Sequence, residues 1–587
     1  MKTFTYTLRL IRYRPWTFAA NCGLWLLYDA LPLLTGLVIR ALFERMEGLP
    51  PAGPNLWTLV ALIAGIEITR FGSFVYAWRV FIDMWHTNET LLRRNLLEWA
   101  LTAAGPRTME ESPSEAITRF RDDVSEISNW IEMLVDTIGI VVFTLSAFYI
   151  MFRIHALITV LVSLPLILTL VLGSRISRVI GRYRVDSRNA TGRVTEFIGE
   201  VFGAVQAIQV ASAEEPAVRR FGALNEKRRT ALIKDAMAGD LYYILTDNMV
   251  DISVAIVLFL SASAMRAGEF SIGDFALFVS YLSLLSQNLR HFGSVITQYR
   301  RVTVSIERLD AFLQDAPSGQ LVTHAPVYTR QEPPALRYRP DQEHEPLRLL
   351  EIRNLTVHHR NGDGGIHDAS LEIARGELVV ITGRIGSGKS TLLRGVLGLI
   401  PSSGEILWNG KPILDPSAFF RPPISAYTAQ VPRLFSGSLR DNIVAGERVT
   451  EESLEAALHR AVLETDIAQL EGGLEVSVGN RGVRLSGGQS QRVAAARMFV
   501  REHELLIMDD LSSALDIETE RLLWERMACG QDNTCLVVSH RPEILERADR
   551  IVLLKEGRVE GIGTLTDLLA TSDEMRRIYS SESSDQE

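Results

Sequence analysis

The sequence is poor in cysteine and has no surplus of positive charge. Only three of its 587 residues are cysteine, and Cys22, Cys529 and Cys535 lack the spacing of a metal site or a disulfide framework. We therefore expect three reduced thiols. The formal net charge is −9, and no basic stretch is interleaved with aromatic side chains. This composition argues against a nucleic-acid partner.

Long apolar runs are missing from the second half of the chain and concentrated in the first. Six segments are long and apolar enough to cross a bilayer as helices, at about 16–43, 56–82, 127–152, 154–173, 241–265 and 275–299. Arginine and lysine precede the first span and are frequent in the long connections after the second and fourth. Such segments stay in the cytoplasm, so the pattern predicts a multi-pass protein of the cytoplasmic (inner) membrane with a cytoplasmic N-terminus. Because these connections are long, we expect several helices to continue beyond the bilayer.

A few ionisable residues lie within the predicted spans: Asp29, Glu67, Arg70, Asp247 and Asp251. Charged groups at this depth are costly unless they face a cavity or a partner. One interpretation is a path for a polar or cationic substrate, with Asp29 and Glu67 as its best candidates. The other is pairing between helices, or positions nearer the interface.

Composition divides the chain into four parts. Residues 1–312 form the predicted transmembrane domain and residues 313–346 a proline-rich linker. Residues 347–579 show the alternating strand and helix pattern of an α/β domain. Residues 580–587 are polar and acidic, and we expect them to be disordered.

A phosphate-binding loop organises the α/β domain. It follows the apolar run at 378–381 and comprises Gly383, Arg384, Ile385, Gly386, Ser387, Gly388, Lys389 and Ser390, with Thr391 opening the next helix. Glycines let backbone N–H groups close around a phosphate, and the helix points its positive end at the anion. We expect Lys389 to contact the β- and γ-phosphates of ATP and Ser390 to ligate Mg²⁺.

Further motifs follow this loop in a fixed order. They are Gln430 after a strand-like run, Leu485-Ser486-Gly487-Gly488-Gln489 before a helix, Asp509-Asp510 after a buried strand, Ser513–Asp516, and His540 after another strand. Each is weak alone, but their order is specific. The chain thus resembles an ATP-binding cassette (ABC) exporter half-transporter, in which a six-helix α transmembrane domain precedes an α/β P-loop nucleotide-binding domain.

The resemblance implies roles for these residues. Asp509 is the Walker B carboxylate that holds Mg²⁺, and Gln430 is a further Mg²⁺ ligand that senses the γ-phosphate. Ser486, Gly487, Gly488 and Gln489 form the signature, which binds ATP held by a second subunit. His540 is the switch histidine, and Ser513–Asp516 the D-loop. Segments 112–119 and 212–219 resemble coupling helices. Since one chain completes neither composite site, a second half-transporter is required.

Three positions depart from the family pattern. Asp510 stands where a hydrolysing cassette has Glu, which places its carboxylate about 1.5 Å further from the attacking water. His359 stands where an aromatic ring stacks on adenine, and Asn480 where a glutamate precedes the signature. These departures favour the degenerate-site subunit of a heterodimer. A homodimer with a slow base remains the alternative.

The expected function is ATP-driven export of an amphipathic small molecule, lipid or peptide. One alternative is an ATP-binding regulatory or gating subunit, and another is an importer built on the exporter frame. Membrane lipid and a transported substrate are the other expected partners. The sequence does not identify the substrate, because the walls of a transport path are ordinary helix residues.

Overall fold

The computed structural model describes residues 2–47, 54–102, 113–313, 316–329, 332–334, 345–358, 365–479, 485–527 and 533–584. The chain divides into two compact units. The first unit contains Met1–Leu101 and Glu111–Glu332, and the second contains Thr102–Glu110 and Pro333–Glu587. Each unit is described separately below.

Long helices build the first unit. They are α1 Lys2–Tyr13, α2 Pro15–Met46, α3 Leu56–Thr102, α4 Pro113–Thr118, α5 Val124–Ile154, α6 Ala156–Gly203, α7 Val205–Val210, α8 Glu214–Arg266 and α9 Ile272–Phe312, with a π-helical turn at Arg119–Asp123 between α4 and α5. Five predicted spans fall within α2, α3, α5, α8 and α9, and the remaining one, 154–173, begins two residues before α6; this confirms the six-helix prediction. By length and composition alone, three of the described helical segments could each cross a membrane: Pro15–Met46, Leu56–Leu101 and Glu115–Ile154.

Several of these helices are much longer than a bilayer is thick. Helix α8 has 53 residues and is therefore about 80 Å long, against about 30 Å of hydrocarbon. Helices α3 and α6 are of similar size, with 47 and 48 residues. The expectation that helices continue beyond the bilayer agrees with these lengths. Between α6 and α8 lies the short helix α7, and the predicted coupling helix at 212–219 falls on the turn Ala211–Ala213 and the first residues of α8, so its role stays a prediction.

The start of the predicted linker is packed onto the helices. Leu321 and Val322 are buried with Leu10 of α1. The Asn95 side-chain amide on α3 donates to the backbone oxygens of Leu321 (2.9 Å) and Thr323 (2.8 Å). Residues 316–329 thus belong to the first unit. Two of their apolar side chains pack there, and two of their backbone carbonyls accept hydrogen bonds from α3.

Two sheets build the second unit. The strands are β1 Leu349–His358, β2 Gly365–Ala374, β3 Leu378–Thr382, β4 Ser402–Trp408, β5 Lys411–Pro412, β6 Ser425–Thr428, β7 Gly437–Ser438, β8 Ser477–Val478, β9 Leu505–Asp509, β10 Thr534–Val538, β11 Arg550–Lys555 and β12 Arg558–Gly563. One sheet has the order β2-β1-β4-β5 and is antiparallel; the other has the order β12-β11-β3-β10-β9-β6. Strands β7 and β8 form a separate pair.

The helices of this unit are shorter. They are α10 Lys389–Val396, α11 Pro416–Phe419, α12 Leu439–Val444, α13 Glu451–Arg460, α14 Glu464–Gln469, α15 Gly487–Phe499, α16 Ile517–Met527, α17 Pro542–Arg547, α18 Leu565–Thr571 and α19 Asp573–Ser584. Helix α19 includes residues 580–584, which the sequence placed in a disordered tail.

The central strands are continuous apolar runs because both faces of their sheet are covered, one by helices that include α15 and α16 and the other by α10 and the antiparallel sheet. Every residue of β3, β9 and β10 is buried. Cys535 lies in β10 and is disulfide-bonded, whereas Cys22 is free. The prediction that all three thiols are reduced is therefore wrong, since spacing in sequence does not show which sulfurs the fold brings together.

Candidate nucleotide-binding site

Four neighbouring parallel strands deliver the predicted site residues to one edge. The order β3-β10-β9-β6 is parallel throughout, and Val538 pairs with both Ile381 and Asp509. Strand β3 leads into the phosphate-binding loop, β9 ends at Asp509, and β10 and β6 end shortly before His540 and Gln430. The carboxyl ends of parallel strands meet at the same edge, where ligands of such sheets bind.

Close backbone approach explains the glycines of the loop. A Cβ on Gly383 would lie 2.2 Å from the Leu554 carbonyl oxygen, so only glycine fits there. Gly388 caps α10 with φ +101, in the left-handed region that favours glycine. Between them, the Ile385 side chain is fully exposed.

Lys389 folds back onto its own loop. Its Nζ donates to the carbonyl oxygens of Gly383 (2.6 Å) and Arg384 (2.9 Å). Burial lowers the pKa of Lys389, while the charges of Asp510 and Asp509 act in the opposite direction. The ammonium group is thus hydrogen-bonded to two neutral carbonyl oxygens of the loop. A bound anion could replace these carbonyls as its partner.

The end of β9 presents a carboxylate that is only half satisfied. The Ser390 hydroxyl donates to Asp509 Oδ1 over 2.8 Å. Oδ2 of Asp509 and Oγ of Ser387 are both buried and have no hydrogen-bond partner among the described residues. Burial raises the pKa of Asp509. The Ser390 hydroxyl and Oδ2 of Asp509 are both oxygen ligands. Such a pair suits a hard divalent cation such as Mg²⁺.

Asp510 is held by the loop after β6. Its backbone has φ +55 and its N–H donates to the Val538 carbonyl over 3.1 Å. The Gln430 side-chain amide donates to Asp510 Oδ2 over 3.2 Å. Three predicted site residues, Gln430, Asp509 and Asp510, therefore lie together at the strand ends.

The signature stands apart from this cluster. Ser486 caps α15 in a reciprocal box: its Oγ accepts from the Gln489 N–H (3.2 Å), and Gln489 Oε1 accepts from the Ser486 N–H (2.9 Å). Gln489 Nε2 also donates to Asp466 over 2.9 Å. Gly487 and Gly488 face Ala514 of the predicted D-loop. None of these partners belongs to the phosphate-binding loop.

Sequence reasoning missed two features of the site. Arg384 pairs with the buried carboxylate of Glu574 on α19 over 2.5 Å, and Gln491 contacts the turn after β9. No sequence motif marks either contact. For Gln491, the only indication in the sequence was a polar residue at a helix position expected to be buried. His359 and Asn480 lie outside the described residues. Thr391 is on the first turn of α10.

The charges within the spans divide between the two interpretations. Glu67 accepts from the Thr35 hydroxyl over 3.1 Å and lies 3.5 Å from Arg70, so it is paired. Asp29 Oδ2 is buried without a hydrogen-bond partner among the described residues, and a Cβ on Gly139 would lie 2.1 Å from it. Asp251 is exposed, and the side chain of Asp247 lies outside the described part.

Comparison with known families agrees with both halves of this architecture. The family model described as the ABC transporter transmembrane region matches residues 30–289, and the one described as ABC transporter matches residues 366–513. Matching relatives include proteins named ATP-dependent lipid A-core flippase. The one from Ralstonia nicotianae is 27% identical over 91% of this chain and 88% of its own length. The one from Xanthomonas euvesicatoria pv. vesicatoria is 30% identical over 69% of this chain and 67% of its own.

A solved structure shares the fold. The structure titled "Structure of a bacterial Atm1-family ABC exporter with ATP bound" matches with a TM-score of 0.74 and 20% identity, over 95% of this chain and 97% of that one. The chain belongs to the ABC transporter family. It is an exporter-type membrane ATPase that couples ATP hydrolysis to transport, with its nucleotide-binding domain in the cytoplasm.

Proposed function

We propose that this chain is one subunit of a dimeric exporter that moves an amphipathic, lipid-like molecule out of the cytoplasmic leaflet at the expense of ATP. One observation carries the proposal: Lys389, the Ser390–Asp509 pair and the Gln430–Asp510 pair converge on the carboxyl edge of four parallel strands. Apart from Asp510, each is the residue type that phosphoryl transfer requires at that place.

The residues act by exchanging partners. Lys389 leaves the carbonyl oxygens of its own loop for the β- and γ-phosphates of ATP, which as anions are the stronger acceptors. Ser390 and Asp509 would hold Mg²⁺, with Gln430 as a further ligand, and the ion would neutralise charge on the phosphates. His540, at the end of the neighbouring strand, contacts the γ-phosphate.

Asp510 makes this site slow. Its carboxylate already accepts from Gln430 and is one methylene shorter than glutamate, so it reaches the attacking water poorly. Losing a general base costs about 10²–10⁴-fold in rate. We therefore propose a heterodimer, in which this chain's signature completes a faster site on a partner subunit that has the glutamate. A homodimer that uses Asp510 as a slow base is the second candidate.

The substrate class rests on the relatives and on the helices. The relatives are named ATP-dependent lipid A-core flippase, and we extend to this chain only the amphipathic class of substrate. Between α5 and α9, His291 Nδ1 lies 3.4 Å from Asp136 and its Nε2 lies 2.9 Å from the Thr137 hydroxyl. With Asp29, this group is our candidate for the polar part of the path.

Transport in liposomes tests the proposal. The full-length protein, purified with any subunit that accompanies it, is reconstituted with a panel of fluorescent lipids that differ in headgroup charge. ATP added outside reaches only outward-facing nucleotide-binding domains. We expect ATP to move at least one lipid to the inner leaflet, where it is protected from a membrane-impermeant quencher, and the Lys389→Ala variant to show no movement.

Other outcomes favour the alternatives. Hydrolysis that no member of the panel changes, without lipid movement, would identify a gating subunit. Movement of lipid from the inner to the outer leaflet would identify an importer. Either result would contradict export.

A further inference from the structure

A buried glutamine links the signature helix to the turn after β9. Gln491 lies on α15, two residues after the signature, and its side chain is buried. Both ends of its amide are used on that turn. Nε2 donates to the Ser513 hydroxyl over 2.9 Å, and Oε1 accepts from the Ala514 backbone N–H over 3.1 Å.

The orientation of this amide is determined by its partners. A backbone N–H can only donate, so the Ala514 N–H must face the carbonyl oxygen of Gln491. The Ser513 hydroxyl donates to the Asp510 carbonyl over 3.2 Å, so its oxygen is left to accept from Nε2. A continuous chain of hydrogen bonds therefore runs from Gln491 through Ser513 to the backbone of Asp510.

The helix and the turn also touch through their backbones. A Cβ on Gly488 would lie 2.8 Å from the Ala514 carbonyl oxygen, and one on Gly487 would lie 3.4 Å from the Ala514 Cβ. At such distances neither surface can move alone without opening the contact. Gln491 is the side chain that fixes the register between them, because it bonds two successive residues of the turn.

We propose that Gln491 is a positioning residue that couples the signature to Asp510, so that the two move as one body. The proposal rests on the proposed function in one respect: the signature and Asp510 serve two different ATP molecules of the dimer. The turn that carries Asp510 then holds the signature in register against the partner's ATP at the faster site, so loosening this contact slows hydrolysis there. Gln491 touches neither nucleotide.

Removing the amide tests the coupling. Gln491→Leu keeps the volume but leaves the Ala514 N–H unpaired and removes the donor to the Ser513 hydroxyl oxygen. One unmet buried hydrogen bond corresponds to about a tenfold effect, so we expect kcat for ATP hydrolysis to fall about tenfold. The KM for ATP should change by less than about twofold, since an interaction made through the turn affects hydrolysis and not nucleotide contact.

Two further variants separate positioning from stability. Ser513→Ala breaks the second step of the chain, and combined with Gln491→Leu it should cost no more than Gln491→Leu alone, because residues of one network are not additive. Arg497→Leu is the matched control. Arg497 is on the same helix and loses three hydrogen bonds, to the backbone oxygen of Asn442 (2.7 Å), to its side-chain oxygen (3.2 Å) and to the backbone oxygen of Arg433 (3.5 Å). It should lower Tm as Gln491→Leu does and leave kcat within about twofold.

An unchanged kcat in Gln491→Leu, or a KM that rises in step with the fall in kcat, would overturn the inference. So would additive losses in the double variant, or an equal loss of kcat in Arg497→Leu. These readings need only the ATPase of the full-length protein. A failure of transport with an intact ATPase would contradict the proposed export and leave this inference standing.

Discussion

The two ends of the nucleotide-binding domain satisfy their polar groups in different ways. At the carboxyl edge of the sheet, Lys389 donates to carbonyls of its own loop, and Asp509 and Ser387 each keep a buried oxygen without a hydrogen-bond partner among the described residues. At the start of α15, Ser486 and Gln489 satisfy each other in a closed capping box.

The difference indicates at which end the side chains can exchange their hydrogen-bond partners for a nucleotide. Lys389 can leave neutral carbonyls for phosphate at little cost, because charge-assisted hydrogen bonds are the stronger ones. The side chains of Ser486 and Gln489 are already hydrogen-bonded, so we propose that the signature binds a nucleotide through backbone N–H groups at the N-terminus of α15. We therefore expect substitutions at the two ends to affect different steps.

Replacing Lys389 should have the largest effect on nucleotide binding. The Lys389→Ala variant loses the cation at the phosphate-binding loop, and we expect ATP to bind this chain's own site at least about a hundredfold more weakly. Labelling of the chain by a photo-reactive ATP measures this. Lys411→Ala is the control, since Lys411 pairs with Glu345 at the surface. Equal labelling of the two variants would mean that Lys389 does not contact ATP.

A smaller effect is expected at the predicted adenine platform. If His359 stacks on adenine, His359→Tyr offers a larger ring and should tighten ATP binding at this site by about threefold. The signature end should not respond. Titration with a fluorescent ATP analogue measures the affinity, and an unchanged value would mean that His359 makes no contact with the base.

The smallest effect is expected at the opposite edge of the same strands. His503 precedes β9, and burial lowers its pKa to about 4, from an ordinary value of 6.5. Between these values the unfolded chain binds more protons, so the stability present above pH 6.5 is lost as pH falls towards 4. The pKa difference corresponds to about 3 kcal/mol in all, of which about 2 kcal/mol is lost by pH 5.

We therefore expect His503→Gln to lose less Tm than the parent protein between pH 7 and pH 5, with ATP binding unaltered. If Tm falls equally in the two proteins across this range, His503 is protonated as easily in the folded chain as in the unfolded chain.

Local patterns predicted the elements that are local in sequence. The phosphate-binding loop, the apolar strands and the order Gln430, Asp509, His540 could be read because each depends on neighbouring residues and on the rule for parallel strand ends. The six membrane helices follow in the same way from runs of apolar residues.

Contacts between distant segments could not be predicted. Pairing of Arg384 with Glu574 and of Gln491 with Ser513 depends on how helices pack on the sheet. The residues after the last membrane helix contain several prolines and read as a linker, yet Leu321 and Val322 are buried against α1. Their burial is decided by a surface formed elsewhere in the chain.

The central claim is that Asp510 and the signature serve different ATP molecules of unequal speed. Steady-state ATPase of the purified complex tests it with Asp510→Asn and Gly487→Leu made singly. If this chain's own site is already slow, Asp510→Asn should lower turnover by less than about twofold, since the carboxylate contributes little as a base. In Gly487→Leu the side chain blocks backbone approach to the partner's ATP, so turnover should fall about a hundredfold or more. Loss of turnover in Asp510→Asn together with an active Gly487→Leu would contradict the account and leave a homodimer that uses aspartate as its base.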